Sequence, residues 1–225
     1  AWAKEYNAVY VHAGGSPDAL AEVVKQKILD LSEFSKSQYF WRDTERLKKR
    51  IASEHTLYTS SELLSRATRD LQFPDTGSYT PWTFADEPDR DLRTATPQSV
   101  TINFSSFSYG VEWRYDRVTN RYLRFQAEQP HVMENGAQID AKNIVVAVVP
   151  TSLIPGDAKG RLSLKTSGQG AAMIFHNGMR VDGTWTKASA DARMQIVDAS
   201  GVPITLTAGT TWIEIIPDAG KVTVQ

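Results

Sequence analysis

Two hydrophobic rhythms divide this chain. In the first third, apolar residues recur at helical spacing between short apolar runs. Val9, Tyr10 and Val11 form such a run, ending in His12; Gly14, Gly15, Ser16 and Pro17 follow. Leu20, Val23, Val24, Ile28 and Leu31 then fall on one helical face, so a helix is predicted over 17–31, with Ser16 as N-cap and Pro17 at its first position. Tyr39, Phe40 and Trp41 read as a short buried strand, and Thr44 to Ser53 as a basic helix or turn. Thr59 and Glu62 have capping-box spacing ahead of Leu63, Leu64, Ala67 and Leu71, which predicts a second helix ending at Phe73 and Pro74.

After residue 98 the period switches to two. Val100, Ile102 and Phe104 alternate with polar neighbours, as do Tyr109, Val111, Trp113 and Tyr115, and a turn at Thr119-Asn120 returns the chain into Tyr122 to Phe125 as a hairpin. Ile144 to Val149 is a continuous apolar run of the kind that suits a strand buried on both faces. Short strands follow at 173–175, 194–197, 204–206 and 212–216, separated by Asn177-Gly178, Ser200-Gly201 and Ala208-Gly209. Between the halves, 74–98 holds four prolines, mixed charges and two isolated aromatic anchors, Trp82 and Phe84. It reads as a linker, being about twice the usual loop length. The fold class expected is α+β: an α/β N-terminal domain over 1–98, including the linker 74–98, then a mostly antiparallel, β-rich C-terminal domain over 99–225. Ala1 falls beside a helical pattern (Trp2, Ala3, Tyr6), so the start of the first domain is expected upstream, and the sheet holding Val9 to Val11 is expected to lack strands.

Composition narrows the chemistry. With no cysteine, disulfides, thiolate catalysis and cysteine-held metals are excluded in this chain. Its 25 basic and 26 acidic residues leave a net charge of -1, which gives no global attraction to nucleic acid. No apolar run reaches the roughly 18 residues of a membrane helix. The patterns of serine hydrolases, zinc peptidases, phosphate-binding loops and calcium loops are all missing, so no catalytic residue is assigned and neither a metal nor a cofactor is expected.

One candidate site emerges, for an anion: His12, Gly14, Gly15, Ser16, Arg42 and His55. Glycines expose backbone N–H groups, a helix N-terminus carries partial positive charge, and an arginine adds a bidentate donor. The same residues serve equally as a tight turn, a helix cap and surface ion pairs. The hairpin arginines Arg114, Arg121 and Arg124, interleaved with aromatics, could stack on sugars or single-stranded nucleic acid. The inward phase of Val111, Trp113 and Tyr115 favours one core face and one wet face instead.

Several segments carry a family resemblance. YNAVYVHAGGSP (6–17), FWRD (40–43) and HTLYTS (55–60) resemble the N-terminal domain of the YerB-like bacterial lipoproteins. Val111 to Arg124, Pro130-His131, Lys142 to Val149, GTWTK (183–187) and GTTWIEIIP (209–217) resemble their C-terminal domain. Two features depart from the family: Glu54, His55 and Thr56 stand where it reads proline, histidine and asparagine, and its N-terminal domain starts well before Ala1. The resemblance implies an extracytoplasmic protein held to the membrane only by an N-terminal lipid that lies outside this chain, with no established activity or cofactor. The function expected is non-catalytic binding or interaction with an unidentified ligand or protein of the cell envelope, without nucleic acid. The alternatives are a hydrolase of a phosphorylated or cell-wall substrate, with His12 and His55 as acid and base and Arg42 holding the anion, and a scaffold that docks other proteins.

Overall fold

The computed structural model describes residues 2–96 and 98–225. The fold is α+β and divides into two compact units, 1–80 and 81–225.

In the first unit, a short helix α1 (Trp2–Glu5) leads to β1 (Tyr10–His12), α2 (Pro17–Lys25) and β2 (Asp30–Ser32). Strands β1 and β2 pair in parallel, with Tyr10 opposite Asp30 and His12 opposite Ser32, in a two-stranded sheet. Ser16 caps α2 as its sequence predicts, accepting from the Ala19 N–H at 3.2 Å. The helix is shorter than the apolar spacing suggests, because Lys27 turns into the left-handed region at φ 52° and Leu31 becomes the buried centre of β2. None of the side chains of α2 is buried, and Val24 is 77% exposed. Strands β3 (Trp41–Arg42) and β4 (Leu57–Tyr58) pair antiparallel and stack Trp41 on Tyr58 at 5.9 Å. Tyr39 belongs to a 3₁₀ turn rather than to a strand. Between β3 and β4, α3 (Thr44–Lys48) is capped by Asp43. The N-cap of α4 (Ser61–Asp70) is Ser60, since the Thr59 hydroxyl donates to the Tyr39 carbonyl instead. Leu31, Tyr39 and Ala67 form a small core, packed round by Val9, Val11, Leu63 and Leu64.

The second unit is a sandwich. Its strands are β5 (Phe84–Ala85), β6 (Ser99–Asn103), β7 (Gly110–Asp116), β8 (Arg121–Gln126), β9 (Gln129–Pro130) and β10 (Asp140–Ala141). Then come β11 (Asn143–Val148), β12 (Thr151–Leu153), β13 (Leu162–Leu164), β14 (Gly168–His176), β15 (Met179–Lys187), β16 (Gln195–Asp198), β17 (Leu206–Thr207), β18 (Thr211–Ile216) and β19 (Val222–Val224). One sheet runs β10-β8-β7-β6-β19, with β9 also on β8; the other runs β16-β15-β14-β11-β18. Within these two sheets every pairing is antiparallel except β11 with β18. Their inner faces meet through Val100, Ile102, Trp113 and Tyr122 on one side and Ile144, Val146, Phe175 and Ile216 on the other.

Local packing places the division between Thr80 and Pro81, inside the stretch 74–98. Tyr79 packs edge-on against Tyr6 at 5.3 Å, and a Cβ on Gly77 would lie 2.6 Å from the Tyr6 carbonyl, so this end stays with the first unit. Beyond it, the buried Trp82 donates from Nε1 to the Met194 carbonyl at 2.7 Å, and β5 pairs with β17. Lys142, 8% exposed, reaches Glu87 at 2.5 Å, and Arg93 donates to the carbonyls of Arg117 and Val118. The aromatic anchors of the connector are thus part of the sandwich.

Candidate functional site

The parallel strands β1 and β2 bring part of the predicted anion set to one edge. His12 ends β1 with its ring stacked on Tyr10 at 4.5 Å; Nδ1 lies 2.6 Å from the Gly14 carbonyl and Nε2 2.7 Å from Asp30 Oδ1. Gly14 is left-handed at φ 72°, and a Cβ there would press on Phe34 at 3.2 Å. Gly15 is close against Leu20, and Ser16 is occupied as the cap. The Glu33 N–H donates to the His12 carbonyl at 2.9 Å, and the Glu33 carboxylate accepts from Arg42 at 3.1 Å, which carries Arg42 to the same edge. Arg42 also donates to the Ser53 carbonyl at 2.6 Å. His55 lies exposed in the adjoining 3₁₀ turn, Ser53–Thr56. Glu33 and Ser53 therefore already take hydrogen bonds from the guanidinium meant for the anion.

A second constellation stands in the sandwich, between its layers. On β8 the inward phase that buries Tyr122 continues to Arg124, which is only 7% exposed. On the facing sheet, β18 points Glu214 inward beside Trp212 and Ile216; Glu214 is 5% exposed. The Arg124 guanidinium lies 4.9 Å from the Trp212 ring centre and 5.7 Å from that of Trp113. Trp113 meets Trp212 edge-on at 5.3 Å and donates from Nε1 to Glu214 Oε1 at 2.9 Å. Arg124 further donates through one terminal nitrogen to Gln126 Oε1 at 3.1 Å and to His131 Nδ1. Its Nε–H, buried, has no hydrogen-bond partner among the described residues.

Arg124 and Glu214 both line an open cavity of about 400 Å³, whose apolar wall is Phe104, Tyr109 and Val111. That volume is in the range of small-molecule sites, which combine an apolar lining with a few fixed polar groups. Burial lowers the pKa of Arg124 against the favourable field of Glu214. Burial likewise raises the Glu214 carboxyl, opposed by the Trp113 bond and by Arg124. Desolvation first, then the adjacent guanidinium, lowers His131, and so keeps its ring neutral and able to accept from Arg124. A guanidinium at the wall of a cavity can meet an anionic oxygen, and Glu214 on the facing sheet offers a hydrogen-bond acceptor.

Trp113 and Arg124 sit in the hairpin segment, His131 in the Pro130-His131 pair and Trp212 and Glu214 in the GTTWIEIIP segment by which the sequence resembles YerB-like proteins. The C-terminal domain model of the protein family of unknown function DUF3048 matches residues 100–213, and its N-terminal domain model matches residues 1–74. The chain belongs to the DUF3048 family. Among solved structures it is similar to the YerB protein from Bacillus subtilis, with a TM-score of 0.83 at 20% identity, covering 99% of this chain and 72% of that one. This likeness establishes a shared fold. A comparison with curated proteins finds no match. The two DUF3048 domain matches end and begin at 74 and 100, so they leave between them the segment that the sandwich anchors through Trp82.

The outward arginines of the same hairpin do different work. Arg114 stacks over Phe125 at 3.9 Å and pairs with Glu112, and Arg121 pairs with Asp140. Sequence reasoning grouped all three arginines; strand parity separates Arg124, which shares its phase with Tyr122. The same parity test applied to β18 picks out Glu214 between Trp212 and Ile216. Among the described residues no three histidine, aspartate or glutamate side chains gather as a metal cluster, and no helix is long and apolar enough to cross a membrane.

Proposed function

We propose that this DUF3048 protein is a non-catalytic binding module whose ligand, an organic anion, enters the cavity beside Arg124 and leaves it unchanged. The observation that carries this reading is a nearly buried guanidinium that lines an open cavity and whose Nε–H meets no acceptor among the described residues. Leaving such a donor unmet costs about 1–3 kcal/mol, so a shift of the side chain that lets a carboxylate oxygen meet it is favoured. Trp113, Trp212 and His131 fix the guanidinium before any ligand arrives, which limits the entropy lost on binding.

Thermal shift in the presence of propionate tests it. The wild type should unfold at higher temperature as propionate rises, and Arg124→Gln should lose that dependence. Equal shifts in both proteins would refute the site. Recovery of the acid intact by NMR after prolonged incubation checks the absence of turnover.

The family resemblance extends the proposal to the cell envelope, with the full-length protein tethered outside the membrane by a lipid. Metabolic labelling with an azide-tagged fatty acid should mark the full-length gene product and leave it in the membrane fraction. An unlabelled product in the cytosol would overturn this part.

A further inference from the structure

Resting on the binding reading above, we infer that the anion is a sugar acid: a pyranose with one carboxylate, which meets Arg124, and hydroxyls that meet Glu214. The cavity presents a guanidinium and a carboxyl from opposite sheets, Arg124 on β8 and Glu214 on β18. Sulfate seated on Arg124 brings no donor to the Glu214 carboxyl, and hydrogen phosphate brings only one. A ligand with donors a few bonds from its carboxylate serves both groups at once.

The choice of hydroxyl over ammonium follows from where positive charge already lies. The Arg124 guanidinium occupies the aromatic faces of Trp113 and Trp212 next to Glu214, so a second cation would enter against it. Neutral donors carry no such penalty. Burial also holds Glu214 toward its uncharged form, which hydroxyls match better than an ammonium does.

The remaining wall supplies a surface for a ring. Tyr109, 61% exposed, and Phe104 flank the cavity, with the Ser105 hydroxyl between them in sequence. This aromatic loop is registered to the charged end by one side chain: Gln126 accepts from Arg124 and donates from Nε2 to the Ser108 carbonyl at 3.1 Å. A pyranose fills a cavity of about 400 Å³ far better than acetate or propionate, which would leave most of the apolar wall wet.

The test uses the full chain and isothermal titration with methyl β-glucuronide, methyl β-glucoside, acetate and phosphate. The glucuronide should bind at least tenfold more tightly than acetate or phosphate, and the glucoside should not bind over the same range. Tyr109→Ala, at an exposed position, should weaken the glucuronide about tenfold, a larger factor than its effect on acetate. Arg124→Gln should abolish both, and Arg124→Lys, which keeps the charge without the two-pronged edge, should weaken both. Acetate or phosphate equal to the glucuronide, or a glucoside that binds as well, overturns the sugar acid while leaving the anion site standing. Binding of no anion by the wild type, or unchanged binding in Arg124→Gln, removes the anion site itself.

Discussion

At the scale of single residues, the sandwich holds two histidines that resist protonation, His131 through desolvation and Arg124, His176 through burial alone. Each has a folded pKa below its ordinary 6.5, so between the two values the unfolded chain binds the proton and the native one does not. Stability therefore falls as pH drops below about 6.5 and levels off once the folded values are passed. Glu214 runs the other way: its raised pKa favours the native state below the ordinary 4.5 and loses that contribution as pH climbs through the folded value. Urea midpoints at pH 7.5 and 5.5 should show the wild type weakening on acidification, and a His131→Gln, His176→Gln double variant weakening less. Identical drops would assign the effect elsewhere. The identity of Arg124 as an inward residue was legible, since two residues after Tyr122 is the same strand phase. Its partners Trp212 and Glu214 were not, because they come from the facing sheet, about 90 residues further along.

At the scale of elements, β14 and β15 form the longest hairpin, nine residues each, closed by Asn177 and Gly178 with both φ angles positive. That pair of angles is the tight hairpin turn the Asn-Gly dipeptide favours, and the turn was readable from the sequence. Strand β15 was not, because Arg180 and Asp182 pair on a wet face and one of its two buried residues, Trp185 and Lys187, is charged. Helix α2 misled in the opposite sense: apolar spacing ran on through Ile28 and Leu31, but the backbone reversed at Lys27. Gly178 is tightly enclosed as well as left-handed, for a Cβ there would come within 2.1 Å of Thr94 and 2.4 Å of Tyr115. Gly178→Ala should therefore cost about 2–4 kcal/mol, read as a lower denaturant midpoint with the slope unchanged. A variant within about 0.5 kcal/mol of wild type would show that Thr94 yields freely.

At the scale of the whole molecule, the segment joining the two halves belongs mostly to one of them. A fragment that begins at Pro81 retains the Trp82 bond to Met194, β5 on β17 and the Glu87 contact with Lys142; one that begins at Ser99 loses all three. The longer fragment should fold cooperatively, and the shorter one should unfold at clearly lower urea, because removing a buried tryptophan alone costs about 3–5 kcal/mol. Matching midpoints would mean that the segment merely lies on the surface. Limited proteolysis should cut between 74 and 81 before it cuts 82–94.

The parallel seat of β18 beside β11 also sets an order of events. Trp113 and Arg124 are synthesised well before the strand that covers them, Thr211–Ile216, about 90 residues further along the chain. Until it threads alongside Asn143–Val148, the arginine has neither its Trp212 face nor its opposing carboxyl. A chain that stops or is cut ahead of Thr211 would carry the arginine without its opposing wall, so loss of the proposed anion binding should report such a cut well before the bulk fold does.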